Sequence, residues 1–443
     1  MITNHETDIA RFALDAALKA GAAKARVSLC KNKMDLVSTL NGKLDKCTSC
    51  LDRSIDITLF VDGRYGKFST NKLECSSLQA FIENAIDTVR MLAPDPCRDL
   101  PSQERIQKDA ISGNELSLVD SHYPEVQPED RKAIALNACI TGRKGHELLV
   151  SEEAEFSDGI YDTIIIDSQG TFCRHTETSF EYFVEVTVKD EDESLYSAYW
   201  WDESPRLENL NWKDCAETAY LKAISSFKPK KCRSRRCNMV VDSEVASKFV
   251  SPILRALNGN SIQQHNSFLD GKLGLKVFSE GLDLFDEPCA VGKSNSCMFD
   301  DEGVATKAHS IIEKGVVKEY FLNTYTAAKL GMQPSCQGAV RPRIKGWPVA
   351  GLRRDDILKI CSDGILVTDF NGGNSNAATG DFSFGIEGFE FKNGKILRPV
   401  REMIVTGNLT SLWNNLTACG EDARECMSKL IPTLAFSNVD FRG

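Results

Sequence analysis

The chain has 443 residues, 42% of them hydrophobic and 26% charged, with a net charge of −10. That length predicts two or three domains, and the composition is that of an ordinary globular protein. The acidic balance argues against a dedicated nucleic-acid binder, and no apolar run reaches the roughly eighteen residues that a membrane helix needs.

The opening residues, Met1-Ile2-Thr3-Asn4-His5-Glu6, lack the basic and apolar regions of a signal peptide. The 16 cysteines are scattered singly apart from Cys47-Thr48-Ser49-Cys50, which has no second pair at zinc-ribbon spacing. They read as reduced thiols used as small hydrophobes, so the expected compartment is the cytoplasm.

In chain order, Thr7 is expected to cap a helix with Ala10, Ala13, Leu14, Ala17 and Leu18 at helical spacing, stopped at Gly21. Ala25, Val27 and Leu29 alternate as a strand. Asn41-Gly42 signals a hairpin, and Asp62-Gly63 a second turn after Ile55, Ile57, Leu59 and Val61. A helix with Leu78, Ile82, Ala85, Ile86 and Val89 on one face ends before Pro94, Pro96 and Pro101, which mark a linker. The order then recurs. A helix starts at Pro128, strands follow at Leu148–Glu152, Ile160–Asp167, Phe180–Val188 and Leu195–Trp201, and Trp212, Ala216, Ala219, Tyr220 and Ala223 give a helical stripe. The recurrence suggests an internal duplication, with little residue identity to support it.

A basic run from Lys228 to Arg236 reads as a solvated linker into a third segment. There Ser243–Leu257 has helical spacing with Pro252 inside, where a proline is expected to kink or interrupt the helix. Beyond Phe278, strands and turns dominate, with hairpin signals at Lys314-Gly315 and Asn393-Gly394. The expected fold class is α+β: an α+β domain over residues 1–100, a second over 101–227, and a large, mainly β domain over 228–443.

Motifs for chemistry are sparse. Neither the P-loop nor the dinucleotide-binding glycine pattern occurs. Ser383 lacks the glycine of a nucleophile elbow, because Asp381 stands two before it. Phe382 and Phe384 are expected to face a core, with Ser383 on the other face. The six histidines are far apart, and His146-Glu147 is followed by Val150 where a zincin helix needs its second histidine. Asp300, Asp301 and Glu302 form an acidic cluster that fits either a divalent cation or a solvated turn. The run from Asn371 to Gly380 is the densest in Gly and Asn, and it fits either a plain connecting loop or a binding loop.

Several short stretches in a fixed order resemble the TldD/PmbA family, often described as modulators of DNA gyrase, over essentially the whole length. They include Asn41-Gly42-Lys43-Leu44, Val61-Asp62-Gly63-Arg64, Ser267–Gly274 and Phe299–Gly303. The most specific are Gly380-Asp381-Phe382-Ser383-Phe384-Gly385 and Pro399-Val400-Arg401-Glu402 with Gly407-Asn408-Leu409. One branch of that family carries H-E-x-x-x-H, whose histidines hold zinc and whose glutamate activates water. The corresponding positions here are Val250, Ser251 and Arg255, and none of these side chains suits that role. The resemblance is therefore to the PmbA/TldE branch without the motif. It implies a chain with no catalytic residues and no metal of its own, paired as a heterodimer with a TldD-like subunit that holds the zinc.

Family roles in peptide trimming, microcin maturation and antitoxin degradation imply small, unfolded or extended peptides as substrates. Asn374, Asn376, Gly380, Asp381 and Ser383 are the candidate substrate contacts, by strand addition. A homodimer in isolation is also compatible, and neither a membrane nor a nucleic acid is an expected partner. Two competing readings stay open. One is an autonomous metallopeptidase using Asp300, Asp301 and Glu302 or a Cys/His set, and the other a binding protein acting on gyrase.

Overall fold

The first helix begins at Thr3, whose hydroxyl accepts the Glu6 N–H (3.2 Å) while the Glu6 carboxylate accepts the Thr3 N–H (2.8 Å). Thr7 was the expected cap, but the reciprocal box needs a carboxylate three residues on, and only Thr3 has one. In the computed structural model, which describes residues 1–443, α1 (Asn4–Lys19) leads into β1 (Lys24–Leu40), β2 (Lys43–Val61), β3 (Arg64–Thr70) and α2 (Cys75–Arg90). The same order then repeats as α3 (Pro128–Ala138), β4 (Leu149–Asp167), β5 (Phe172–Lys189), β6 (Leu195–Ser204) and α4 (Cys215–Ser225).

The six strands form one antiparallel sheet in the order β3-β2-β1-β4-β5-β6. Its centre is the long β1–β4 pairing, from Arg26 opposite Asp167 to Leu40 opposite Glu153, so the segments 1–100 and 101–227 share a sheet. Period-two burial gives each half its own core. Ala25, Val27, Leu29, Ile55, Ile57 and Leu59 pack under α1 and α2, and Phe180, Tyr182, Val184 and Val186 pack under α3 and α4. The turns at Asn41-Gly42 and Asp62-Gly63 have two positive φ angles each, the geometry that matches strand twist in a tight hairpin.

The C-terminal region runs β7 (Arg235–Val241), α5 (Ser247–Ala256), α6 (Gly259–Gln263), β8 (Leu284–Asp286), β9 (His309–Glu313), β10 (Val316–Val317), α7 (Thr324–Leu330), β11 (Pro342–Ile344) and α8 (Arg354–Cys361). It continues through β12 (Gly364–Ser375), β13 (Asp381–Lys392), β14 (Lys395–Asn408), α9 (Leu409–Asn414), β15 (Leu416–Cys419) and β16 (Leu434–Arg442). Strands β8 to β11 make a small sheet. β7, β12, β13, β14 and β16 close into a barrel, because β16 pairs with both β7 and β14. The large, β-rich C-terminal region is as expected.

α5 packs its Phe249, Val250 and Ile253 against Phe382, Phe384 and Phe436 of the barrel strands. On the opposite strand face, Val240, Leu366 and Phe391 meet Ile357 and Leu358 of α8. Ser383 is exposed between its two buried neighbours, as the alternation requires. α5 starts at Ser247 and passes through Pro252 without the expected interruption. A proline in a helix interior costs about 3 kcal/mol, whereas burying three large apolar side chains contributes roughly 1.5–3 kcal/mol each. Packing outweighs the missing backbone bond. No helix is long and apolar enough to cross a membrane.

Candidate functional site

β12 pairs with β7 only from Gly364 to Val367, yet it continues to Ser375 alongside β13. Beyond Val367 its other edge has no strand partner, and that edge faces α5 across a cleft of about 520 Å³. Ser247, Lys248, Ser251, Pro252 and Arg255 of α5 line one wall, and Asp369, Phe370, Gly373, Asn374 and Ser375 of β12 the other, with Phe384 of β13 beneath. Lys248 reaches over the Phe384 ring, 4.9 Å from its centroid. Gly373 is obligatory here: its φ is +86°, and a Cβ would lie 2.0 Å from the Ser383 carbonyl oxygen.

Three of the sequence-derived positions therefore converge: Ser251, Arg255 and Asn374 share this cleft. Val250 does not, being fully buried among the barrel side chains. Asn376, Gly380, Asp381 and Ser383 lie off the lining. Asn376 and Asp381 shape the turn instead. The Asn376 side-chain oxygen accepts the Ala378 N–H (2.9 Å), and the Asp381 carboxylate accepts from Asn408 Nδ2 (3.0 Å) and Thr379 Oγ1 (2.8 Å). Those two bonds, Asn408 first, hold the Asp381 carboxyl below its ordinary value. Ser383 sits directly opposite Asn374 in the β12–β13 register.

A wider cleft of about 730 Å³ opens beside the first, between β6 and α4 of the six-stranded sheet and the barrel, and Val245 and Asp369 line both. β6 is a sheet edge, and its Leu195–Tyr199 segment lines this space. Lys222 of α4 donates to Glu244 (2.6 Å) across it, and Arg354 donates to Asp242 (3.0 Å). Burial raises the Glu244 carboxyl above its ordinary value, with Lys222 pulling the other way. Pro399, Val400 and Arg401, prominent in the sequence as a short motif, form part of the wall. Lys222, Asp242, Glu244 and Arg354 carried no motif in the sequence, and only the packing of distant elements brings them together.

Neither cleft is lined by a histidine or a cysteine. The His-Glu pairs of the chain, His5-Glu6 and His146-Glu147, are followed five positions on by Ala10 and Ser151. A zinc ion held by nitrogen or sulfur ligands thus has no donors beside α5, where Arg255 would place a positive charge instead. The acidic cluster is occupied with turn structure. Asp300 accepts the Glu302 and Val304 N–H groups (2.9 and 3.0 Å), Glu302 accepts from the Thr324 backbone and hydroxyl (3.0 and 2.8 Å), and Asp301 meets the Gln337 amide (3.2 Å). The three carboxylates do not converge on a common point.

Comparison with known proteins points one way. Residues 121–227 match the PmbA/TldA metallopeptidase central domain, and residues 234–443 match the C-terminal domain of the same family. Metalloprotease PmbA of Escherichia coli O157:H7 is 27% identical over 95% of this chain and 94% of its own. A Bacteroides thetaiotaomicron protein, described with its crystal structure as a modulator of DNA gyrase, is 37% identical with a TM-score of 0.95, covering 100% of both chains. TldE of Thermococcus kodakarensis shares the fold, with a TM-score of 0.82 over 99% of both chains at 18% identity.

Proposed function

Because this chain belongs to the PmbA/TldD family, we propose that it serves as the non-catalytic, TldE-type subunit of a zinc metalloprotease whose zinc lies in a TldD-like partner. The observation that carries this reading is the cleft beside α5, where Val250 is packed into the core and Ser251 and Arg255 stand on the wall. None of the three positions carries a histidine or a carboxylate. The chain supplies walls and backbone, and the partner supplies the cutting residues.

The substrate in this reading is a small or unfolded peptide in extended form. The unpaired stretch of β12 offers backbone donors and acceptors beside α5, and β6 offers another free edge in the adjoining cleft. An extended chain is bound well by such edges, because its own backbone groups pair with them whatever its side chains. The subunit is expected to work in the cytoplasm and to need no membrane or nucleic acid, and pairing with its own copy is compatible with the reading when its partner is missing.

The test is a peptidase assay on the purified chain, on a TldD-like subunit with an intact H-E-x-x-x-H motif from the same organism, and on the two mixed. The mixture is expected to cleave unfolded peptide and to elute as a heterodimer, with the isolated chain inactive. Cleavage by the isolated chain at the rate of the mixture overturns the reading in favour of an autonomous peptidase. A complex with gyrase formed without any TldD-like chain overturns it in favour of a gyrase-binding protein.

A further inference from the structure

Away from both clefts, three potential ligands from separate parts of the C-terminal region meet. His309 opens β9, Glu319 follows β10, and Cys336 lies in the segment between α7 and β11. One ligand atom from each lies within 4.8 Å of the other two. His309 Nε2 is 3.2 Å from Glu319 Oε2 and 3.8 Å from Cys336 Sγ. A tetrahedral zinc ion, with Zn–N and Zn–O near 2.1 Å and Zn–S near 2.3 Å, places its ligand atoms about 3.4 Å (N to O) and about 3.6 Å (S to N) apart. The two spacings from His309 match those edges to about 0.2 Å, and the Glu319 and Cys336 ligand atoms lie within 4.8 Å of each other.

The surroundings also suit a cation. His309 Nδ1 lies 2.9 Å from the Lys307 carbonyl, to which it can donate only as N–H. That bond leaves Nε2 directed at Glu319 and Cys336, and it is the outer contact that metal-bound histidines commonly make. Cys336 is held by its neighbour: the Ser335 hydroxyl donates to the Tyr320 carbonyl (2.5 Å) and accepts the Leu322 N–H (3.0 Å). Asp286 and Asp300 add negative charge around the thiol.

We propose that His309, Glu319 and Cys336 bind one transition-metal dication, zinc foremost, which ties the β9–β10 hairpin to the segment entering β11. An imidazole, a carboxylate and a thiolate together select a borderline-soft ion over magnesium or calcium. The fourth position is filled by water. On binding, the Cys336 thiol gives its proton to solvent as the metal–sulfur bond forms. The site departs from the expectation of a chain without any metal. It lies outside the linings of both clefts, and its role is structural.

The test uses the full chain carrying Cys47→Ser and Cys50→Ser, which removes the exposed C-x-x-C pair as a competing trap. After chelator treatment, zinc titration is expected to give one ion per chain, and cobalt(II) to give a near-ultraviolet thiolate-to-metal absorption. Cys336→Ser should abolish that absorption, and His309→Gln should weaken zinc binding at least about tenfold. Failure to bind a stoichiometric ion, a cobalt spectrum without the thiolate band, or unchanged binding in both variants overturns the proposal. If the variants misfold, alkylation of Cys336 followed by mass spectrometry in otherwise unmutated protein decides the matter. Zinc must slow it, and equal rates with and without zinc overturn the site.

Discussion

Lys222 and Glu244, at the end of the six-stranded sheet's last helix and just ahead of α5, meet at 2.6 Å across the wider cleft. The ammonium also lies 4.8 Å from the centre of a Trp200 ring. The pair joins the sheet to the barrel region at the mouth of the proposed peptide chamber. Burial keeps the Glu244 carboxyl above its ordinary value despite Lys222, so that carboxylate depends on its partner.

Replacing Lys222→Met leaves a half-buried carboxylate without its cation. The expected loss of stability at pH 8 is about 1–2 kcal/mol. The sign with pH is fixed. Glu244 has a folded value above its unfolded one, so its contribution declines as pH rises, and removing Lys222 extends that decline to higher pH. Denaturant unfolding at pH 5 and pH 8 checks this: the variant should lose more at pH 8, and equal losses would refute it.

The bidentate pair between Arg131 of α3 and Asp158 of β4 is the most enclosed ion pair in the molecule, with Nη2 donating at 2.8 Å and the side chains 8% and 0% exposed. Asp35 of β1 adds a second carboxylate at 3.2 Å, so one guanidinium spans the central β1–β4 seam. Arg131→Ala strands the buried Asp158 carboxylate, while Asp35 keeps Lys33 at 3.0 Å, and a loss of about 3–5 kcal/mol is expected. Thermal unfolding of the variant, with Asp158→Asn as a milder comparison, measures it. A loss no larger than that of an exposed pair such as Arg11–Asp8 contradicts the assignment.

Much of this architecture was legible in the residues. Alternation at Ala25, Val27 and Leu29 and at Tyr182, Val184 and Val186, and the paired turn residues at 41–42 and 62–63, are local signals whose meaning does not depend on distant contacts. The β1–β4 seam and the pairing of β16 with β7 were not legible, because register between strands more than a hundred residues apart leaves no mark in either strand alone. The site divides the same way. Ser251 and Arg255, placed by resemblance, share a cleft with Asn374 of the Gly/Asn run, whereas Asn376 of that run and Asp381 just after it serve the turn.

Gly373→Ala tests the β12 wall. A methyl group 2.0 Å from the Ser383 carbonyl, on backbone at φ +86°, forces the strand away from β13. The expected cost is about 1–3 kcal/mol. Peptide binding to the complex with a TldD-like subunit should fall more than zinc content does. A variant that binds peptide normally would remove the β12 edge from the proposed binding surface.

Restoring the zinc motif by V250H, S251E and R255H together is expected to fail. Val250 has no exposed surface and packs with the barrel side chains, so an imidazole there is buried without a guaranteed partner, at a cost of about 1–3 kcal/mol. Zinc stoichiometry measured beside the unmutated chain should not increase, and no peptidase activity should appear. One additional zinc with activity would place position 250 in the cleft after all.

Glu203 of β6 stands opposite Glu181 of β5, and burial, then the charges of Glu181, Glu177 and Asp202, push its carboxyl up to about 7. Between its unfolded value near 4.5 and about 7 the folded chain holds more protons than the unfolded one, so stability falls as pH rises through that window and levels off above it. Glu203→Gln removes the proton uptake while keeping the shape. The variant should show a flatter pH profile and, above pH 7, a gain on the order of 1–2 kcal/mol. Unfolding curves at pH 5, 6, 7 and 8 separate the outcomes, because a side chain with an ordinary carboxyl value would leave the slope between pH 5 and 7 unchanged.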